Sequence, residues 1–160
     1  MKHVFTYGSL MFDRVWSGVV GGDYPAAAAT LPGFLRQRVR GQDYPSLVHA
    51  PSHEAGCPQA SVDGVLYLGV NDADLAVLDR FEGSDYRRIP VEVLLREEAS
   101  VGPAGCFVAG SRLSADAYLF TARAKVEPGP WDPRRFEREW MDRFLREYPP
   151  PPAPGGRGRG

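Results

Sequence analysis

Cysteine is scarce in this chain. Two occur in 160 residues, Cys57 and Cys106, without Cys-x-x-Cys or Cys/His spacing, which argues against a zinc site or a redox pair and leaves one disulfide as an open alternative. Charge of one sign is missing as well: 19 Lys and Arg stand against 20 Asp and Glu, a formal net charge of -1. That balance gives no electrostatic case for nucleic acid or an anionic membrane as the main partner. No apolar run is long enough to span a bilayer, and Met1 to Tyr7 contains no secretory pattern. The expectation is a cytoplasmic protein with reduced thiols. Gly-x-Ser-x-Gly and a phosphate loop are absent too, so Ser9 beside Gly8 reads as a turn or cap serine rather than a nucleophile. The three histidines, His3, His49 and His53, are scattered and imply no metal ligand set.

What is present suits one domain, expected over residues 1–148, with a Pro/Gly-rich tail at 149–160. With 43% hydrophobic and 24% charged residues, the chain has the composition of an ordinary globular protein. Val4 to Tyr7 reads as a strand broken by Gly8-Ser9. Beyond it Phe12, Val15, Trp16 and Val19 recur with helical spacing, and the helix should end near Gly21-Gly22. Ala26 to Ala29 has helix-forming residues but lies between Tyr24-Pro25 and Pro32-Gly33, so an extended segment is expected. Phe34 to Arg40 reads as a solvent-facing strand, Tyr44 to Val48 as another extended piece, and Pro51 to Gln59 as a loop. Val62 to Leu68 is rich in strand formers, with Gly64 marking a bulge or a close backbone approach.

A helix should follow, with Asp72 as N-cap and Leu75, Leu78 and Glu82 on one face. Tyr86 to Leu95 reads as extended, Pro90 placing it at an edge or a strand start, and Glu97 to Ser114 as a loop or loose hairpin. Ala117 to Thr121 returns to strand. Asp132-Pro133 then opens a helix whose Phe136, Trp140, Phe144 and Tyr148 form an aromatic packing stripe. Strands outnumber helices, no helical crossover joins parallel strands, and no repeat is visible. The fold class is α+β, a small mixed or antiparallel β-barrel with flanking helices.

Glu82 breaks the local rule, because it places a carboxylate along an apolar stripe and in the last helical turn before Gly83. Burial and the helix C-terminus both push such a group upward in pKa, as general-base chemistry near neutral pH requires. The alternative is structural: a partly buried ion pair with Arg80, Arg87 or Arg88 would hold Glu82 down.

Taken in order, Tyr7-Gly8-Ser9-Leu10, Tyr44 to Val48, Val62 to Tyr67, Leu78 to Arg88 and Ala117-Tyr118 resemble the γ-glutamylcyclotransferase-like superfamily, and within it the AIG2-like branch. The resemblance covers roughly residues 3 to 122, and the terminal helix also looks like that of plant AIG2-like proteins. It implies a small mixed barrel with a cavity at one end. It also implies a reaction, in which the α-amino group of a γ-glutamyl amide attacks its own γ-carbonyl and releases 5-oxoproline and an amine or amino acid. By the resemblance, Glu82 takes the proton from the attacking amine, the backbone N–H groups of Tyr7, Gly8, Ser9 and Leu10 hold the glutamyl oxygens, and Tyr86 and Tyr118 lie around the cavity. Arg88 would orient the Glu82 segment. Neither metal nor organic cofactor is implied, and the partner is a small γ-glutamyl compound. Leu10-Met11-Phe12 has no polar residue to declare which one. A non-catalytic binder of a small carboxylate or amide, and an interaction protein using the aromatic helix, remain as other readings.

Overall fold

The computed structural model describes residues 2–51, 59–100 and 105–147. His53, Cys57, Tyr148, most of the Pro51 to Gln59 loop and the tail lie outside the described residues. β1 (Lys2–Thr6) leads into a short 3-10 turn (Ser9–Met11) and α1 (Asp13–Val19). Then come β2 (Ala26–Pro32), β3 (Phe34–Val39), β4 (Pro45–His49), β5 (Ser61–Val70) and α2 (Asp72–Glu82). The second half contains β6 (Tyr86–Leu95), β7 (Ala99–Ser100), β8 (Cys106–Phe107), β9 (Arg112–Phe120) and β10 (Val126–Pro130). A last helix runs through α3 (Pro133–Arg135), a π-helical segment (Phe136–Trp140) and α4 (Met141–Glu147).

Five strands close into a barrel in the order β1-β5-β2-β6-β9. All its pairs are antiparallel except the joint between β1 and β9, which is parallel and registers Val4 with Asp116. The expected α+β barrel with flanking helices is therefore the observed architecture. A separate three-stranded sheet, β10-β3-β4, holds the expected strand at Phe34.

The alanine run does form a strand. Its side chains alternate between buried and less buried along β2, and it pairs with β5 along its whole length. Propensity loses here because flanking prolines leave no room for helix nucleation, while a barrel interior accepts small side chains. Gly64 is the close approach, not a bulge: a Cβ there would lie 2.1 Å from the Thr6 carbonyl oxygen.

Two details differ from the sequence reading, the N-cap of α2 and the last helix, and two alternatives it left open are decided, Pro90 as an edge position and Glu97 to Ser114 as a small hairpin. The N-cap of α2 is Asn71, whose side-chain oxygen accepts from the Asp74 amide; Asp72 is already helical. The Asn71 side chain is one residue better placed to reach the orphan N–H groups. Pro90 sits inside β6 rather than at its start. Its missing donor is harmless because β2 pairs with β6 only at Leu94 and Leu95, leaving Pro90 a free edge opposite its partner Asp116 on β9. Within Glu97 to Ser114 the chain forms the small β7-β8 pair and the beginning of β9. Finally, the π segment shifts the aromatic stripe, so that Phe136, Met141 and Phe144 are buried and Trp140 is only half-buried, under Arg135. Wider π turns take about an extra residue, which rotates Trp140 out and brings Met141 in.

The core has two parts. One fills the barrel with Phe5, Leu31, Leu47, Leu66, Leu68, Val93 and their neighbours. The other lies outside the strands, where Trp16, Leu75, Leu78, Tyr118, Trp131, Phe136 and Phe144 pack the helices onto the barrel wall. The last helix is thus part of the fold, and burial of Phe136 and Phe144 removes the main support for an interaction surface built on the aromatic stripe.

Candidate functional site

The chain leaves β1 at Thr6 and turns sharply. Gly8 permits this because the Pro45 ring presses on it: a Cβ at position 8 would come within 2.9 Å of Pro45 Cγ and Cδ. Every carbonyl of the turn is occupied. The Arg36 guanidinium donates to the Tyr7 oxygen at 3.0 Å, Met11 N–H to Gly8, Phe12 N–H to Ser9, and the Tyr67 hydroxyl to Leu10 at 3.1 Å. The amides of Gly8, Ser9 and Leu10, in contrast, have no acceptor among the described residues. A turn whose acceptors are all spent and whose donors are all free is built to receive negative charge or a carbonyl oxygen.

Those residues line a recess of about 30 Å³ together with Tyr44, Pro45, Glu82, Tyr86 and Tyr118. Every residue expected at the site, Tyr7, Gly8, Ser9, Leu10, Glu82, Tyr86 and Tyr118, is brought to this one place. A second lobe of about 80 Å³ shares Ser9, Tyr44, Glu82 and Tyr86 with it and adds Phe81 and Phe144.

Helix α2 delivers Glu82. Leu75 and Leu78 are buried and fix the rotation of the helix, and Gly83, at φ 80°, ends it. Glu82 is half-buried on the same stripe. Burial pushes its carboxyl up to about 8. The Glu–Arg pair that would have held it down is not formed: Arg88 binds Asp79 at 3.0 Å and Asp116 at 2.7 Å, while Arg80 and Arg87 are exposed. Among the described residues no hydrogen bond or ion pair engages the Glu82 carboxylate.

The tyrosines have their protons committed. Tyr7 donates to the Tyr118 carbonyl at 2.6 Å, Tyr86 to the Pro45 carbonyl at 2.7 Å, and Tyr118 to Asp79 Oδ1 at 2.7 Å. Burial holds all three hydroxyls well above their usual range, so they stay neutral. Toward a ligand they offer ring surface and acceptor lone pairs. Arg88 ties α2 to β9 through Asp79 and Asp116, which orients the segment bearing Glu82.

Sequence reasoning missed the pocket roles of Phe81 and Phe144, and that of Tyr67 beneath the turn. Phe81 precedes an informative residue but reads as generic core, and Phe144 is distant in sequence. No histidine lines either lobe, so Ser9 has no base of the triad type. His3 instead accepts from the Gly69 amide, and His49 packs on Phe34. Among the described residues no group of His, Cys, Asp and Glu could hold a metal ion. No helix there is long and apolar enough to cross a membrane.

A family model described as "Gamma-glutamyl cyclotransferase, AIG2-like" matches residues 4–135. Among curated proteins, the chain is 31% identical over 147 residues to "AIG2-like protein D" of Arabidopsis thaliana, covering 91% of this chain and 86% of that one. It is 34% identical over 149 residues to "Protein AIG2 C" of the same plant, covering 91% and 78%. A solution structure from Arabidopsis thaliana superposes with a TM-score of 0.60 at 25% identity, over 92% of this chain and 79% of that one. A structure titled "Gamma-glutamyl cyclotransferase" does so with a TM-score of 0.58 at 18% identity, covering 97% and 90%, and speaks for the fold alone.

Proposed function

The chain belongs to the γ-glutamyl cyclotransferase, AIG2-like family, and we propose that it cyclises a γ-glutamyl amide to 5-oxoproline with release of an amine or amino acid, Glu82 serving as general acid and base. The observation that carries this reading is the meeting in one recess of a proton-avid, unpaired carboxylate and three free backbone donors.

The steps follow from what each group can do. The free amides of Gly8, Ser9 and Leu10 grip the glutamyl oxygens and hold the chain curled, so that the α-nitrogen reaches its own γ-carbonyl. An ammonium has no lone pair, so Glu82 first takes a proton from it. The new N–C bond forms, the carbonyl oxygen gains negative charge, and a donor aimed at that oxygen contributes about 3 kcal/mol in favourable cases. The old C–N bond then breaks. Over the cycle two protons pass from the attacking to the leaving nitrogen, Glu82 relaying them, and no water is consumed. A carboxyl near 8 suits both directions of transfer, since it gives a proton back almost as readily as it takes one.

The test is release of 5-oxoproline from a panel of γ-glutamyl amines and γ-glutamyl amino acids. Turnover by the wild type is expected, and Glu82→Gln should lower kcat by about 10²-fold or more while the protein stays folded. Ligand-induced stabilisation with no product from any member would instead establish a binding protein on the same scaffold. Full activity in Glu82→Gln would remove Glu82 from the chemistry.

A further inference from the structure

Arg36 is a half-buried cation without an acid. It sits on β3 opposite Leu47 of β4, and its guanidinium crosses to the barrel, where Nη1 donates to the Tyr7 carbonyl at 3.0 Å and to the Asp63 carbonyl at 3.2 Å. The ladder between β1 and β5 ends at Thr6 and Val65, and Arg36 spans the carbonyls just past its end. Its guanidinium carbon lies over the Trp131 ring, 5.4 Å from the centre. Among the described residues no carboxylate closes an ion pair with it: Asp63 binds Arg96 and Thr30, and Asp132 caps the last helix. Burial pushes the guanidinium down, Asp63 and Asp132 opposing this from a distance, and an arginine stays charged at neutral pH all the same. A buried charge without a counterion costs stability, and local exceptions of this kind mark places with a task.

The Tyr7 oxygen is one end of a peptide unit whose other end is the free Gly8 N–H. That unit is planar, so whatever fixes the carbonyl also fixes the donor on its opposite side. Position 8 is a glycine, and without a Cβ it gives the plane little rotational restraint of its own. The plane needs an outside pin. A charged donor makes a stronger hydrogen bond than a neutral one, and by drawing electron density to the oxygen it leaves the N–H more positive. Resting on the cyclisation proposed above, we infer that Arg36 is a positioning residue, which holds the Tyr7-Gly8 peptide with its N–H aimed into the recess and strengthens that donor for the oxygen that gains charge. Arg36 lines neither lobe, so it acts only through this peptide.

The test separates kcat from KM. Arg36→Met keeps an apolar stem against Trp131 and removes the charge; with the best γ-glutamyl substrate of the panel above, kcat should fall about tenfold or more while KM changes by less than about threefold. The loss should stay below the roughly 10²- to 10³-fold cost of removing an oxyanion donor outright, because the Gly8 N–H itself remains. Arg36→Lys restores a cation and should recover part of kcat. The Gly8 amide proton supplies a readout that needs no turnover: its resonance should move upfield in Arg36→Met, since a lost carbonyl hydrogen bond leaves the N–H less polarised. An unchanged kcat in folded Arg36→Met, a loss confined to KM, an Arg36→Lys no faster than Arg36→Met, or an unmoved Gly8 resonance would overturn the role. Should Arg36→Met fail to fold, Arg36→Gln, which offers the carbonyls a neutral donor, stands under the same criteria. No 5-oxoproline from the wild type would sink the cyclisation itself, and the Gly8 resonance would then decide alone whether Arg36 pins the peptide.

Discussion

Glu82 carries a consequence beyond catalysis, since its carboxyl ordinarily ionises near 4.5 and the fold raises it to about 8. Between those values the folded chain holds a proton that the unfolded chain has lost. Stability from this group is therefore present at low pH and lost as pH rises through the folded value, with a slope of at most about 1.4 kcal/mol per pH unit. Glutamine cannot ionise. The stability of wild type relative to Glu82→Gln should accordingly fall between about pH 5 and pH 8 and level off above, read from urea denaturation across that range. Parallel curves would mean that Glu82 ionises as an exposed acid does. A second residue-scale expectation concerns Arg88, which neutralises Asp116, whose side chain is only 9% exposed. Arg88→Met leaves that carboxylate buried without its cation and should cost about 3 kcal/mol, visible as a lower denaturation midpoint.

At the level of elements, β1 and β5 approach so closely at Gly64 that only hydrogen fits against the Thr6 carbonyl. Gly64→Ala must push backbone apart rather than turn a side chain, so a loss of about 1–3 kcal/mol is expected, with the denaturation midpoint reduced and the slope kept. Thr6 leads directly into the Tyr7 to Leu10 turn, so activity should fall with it. A neutral Gly64→Ala would mean that the two strands can separate there at no cost. Gly64 was legible in the sequence as an exception among β-formers, as was Glu82 among leucines, and both are places where one residue contradicts its neighbours. Regular β2 was legible only through its flanking prolines. The π segment was not legible at all, because i+4 aromatics fit an ordinary helix, and only packing against Trp131 and Phe12 shows which rings go inward. β10 left no signal either: Val126 to Pro130 contains two prolines and a glycine, and is a strand because β3 offers it an edge. The candidate site was readable as two separated motifs. That they share a wall with Phe144 depends on tertiary structure.

Across the whole molecule, the last helix contributes as much to the fold as to the site. Phe136, Met141 and Phe144 are each no more than 3% exposed. Burying side chains of this size is worth about 1.5–3 kcal/mol each, a large part of the 5–15 kcal/mol that a domain typically has. Deleting residues 132–160 should leave a chain without a cooperative thermal transition and with dye-binding apolar surface. A truncated protein that melts cooperatively within about 5 °C of the full chain would show that the helix is an accessory.

The parallel joint between β1 and β9 sets the order in which the protein can become competent. Tyr7, directly after β1, and Tyr118 on β9 are far apart in the chain, and the hydroxyl of the first donates to the carbonyl of the second. No early, local piece of structure contains both. Turnover would then be the last signal to return after denaturation, trailing any spectroscopic sign of helix or strand, and its recovery would time the moment the ring of strands shuts.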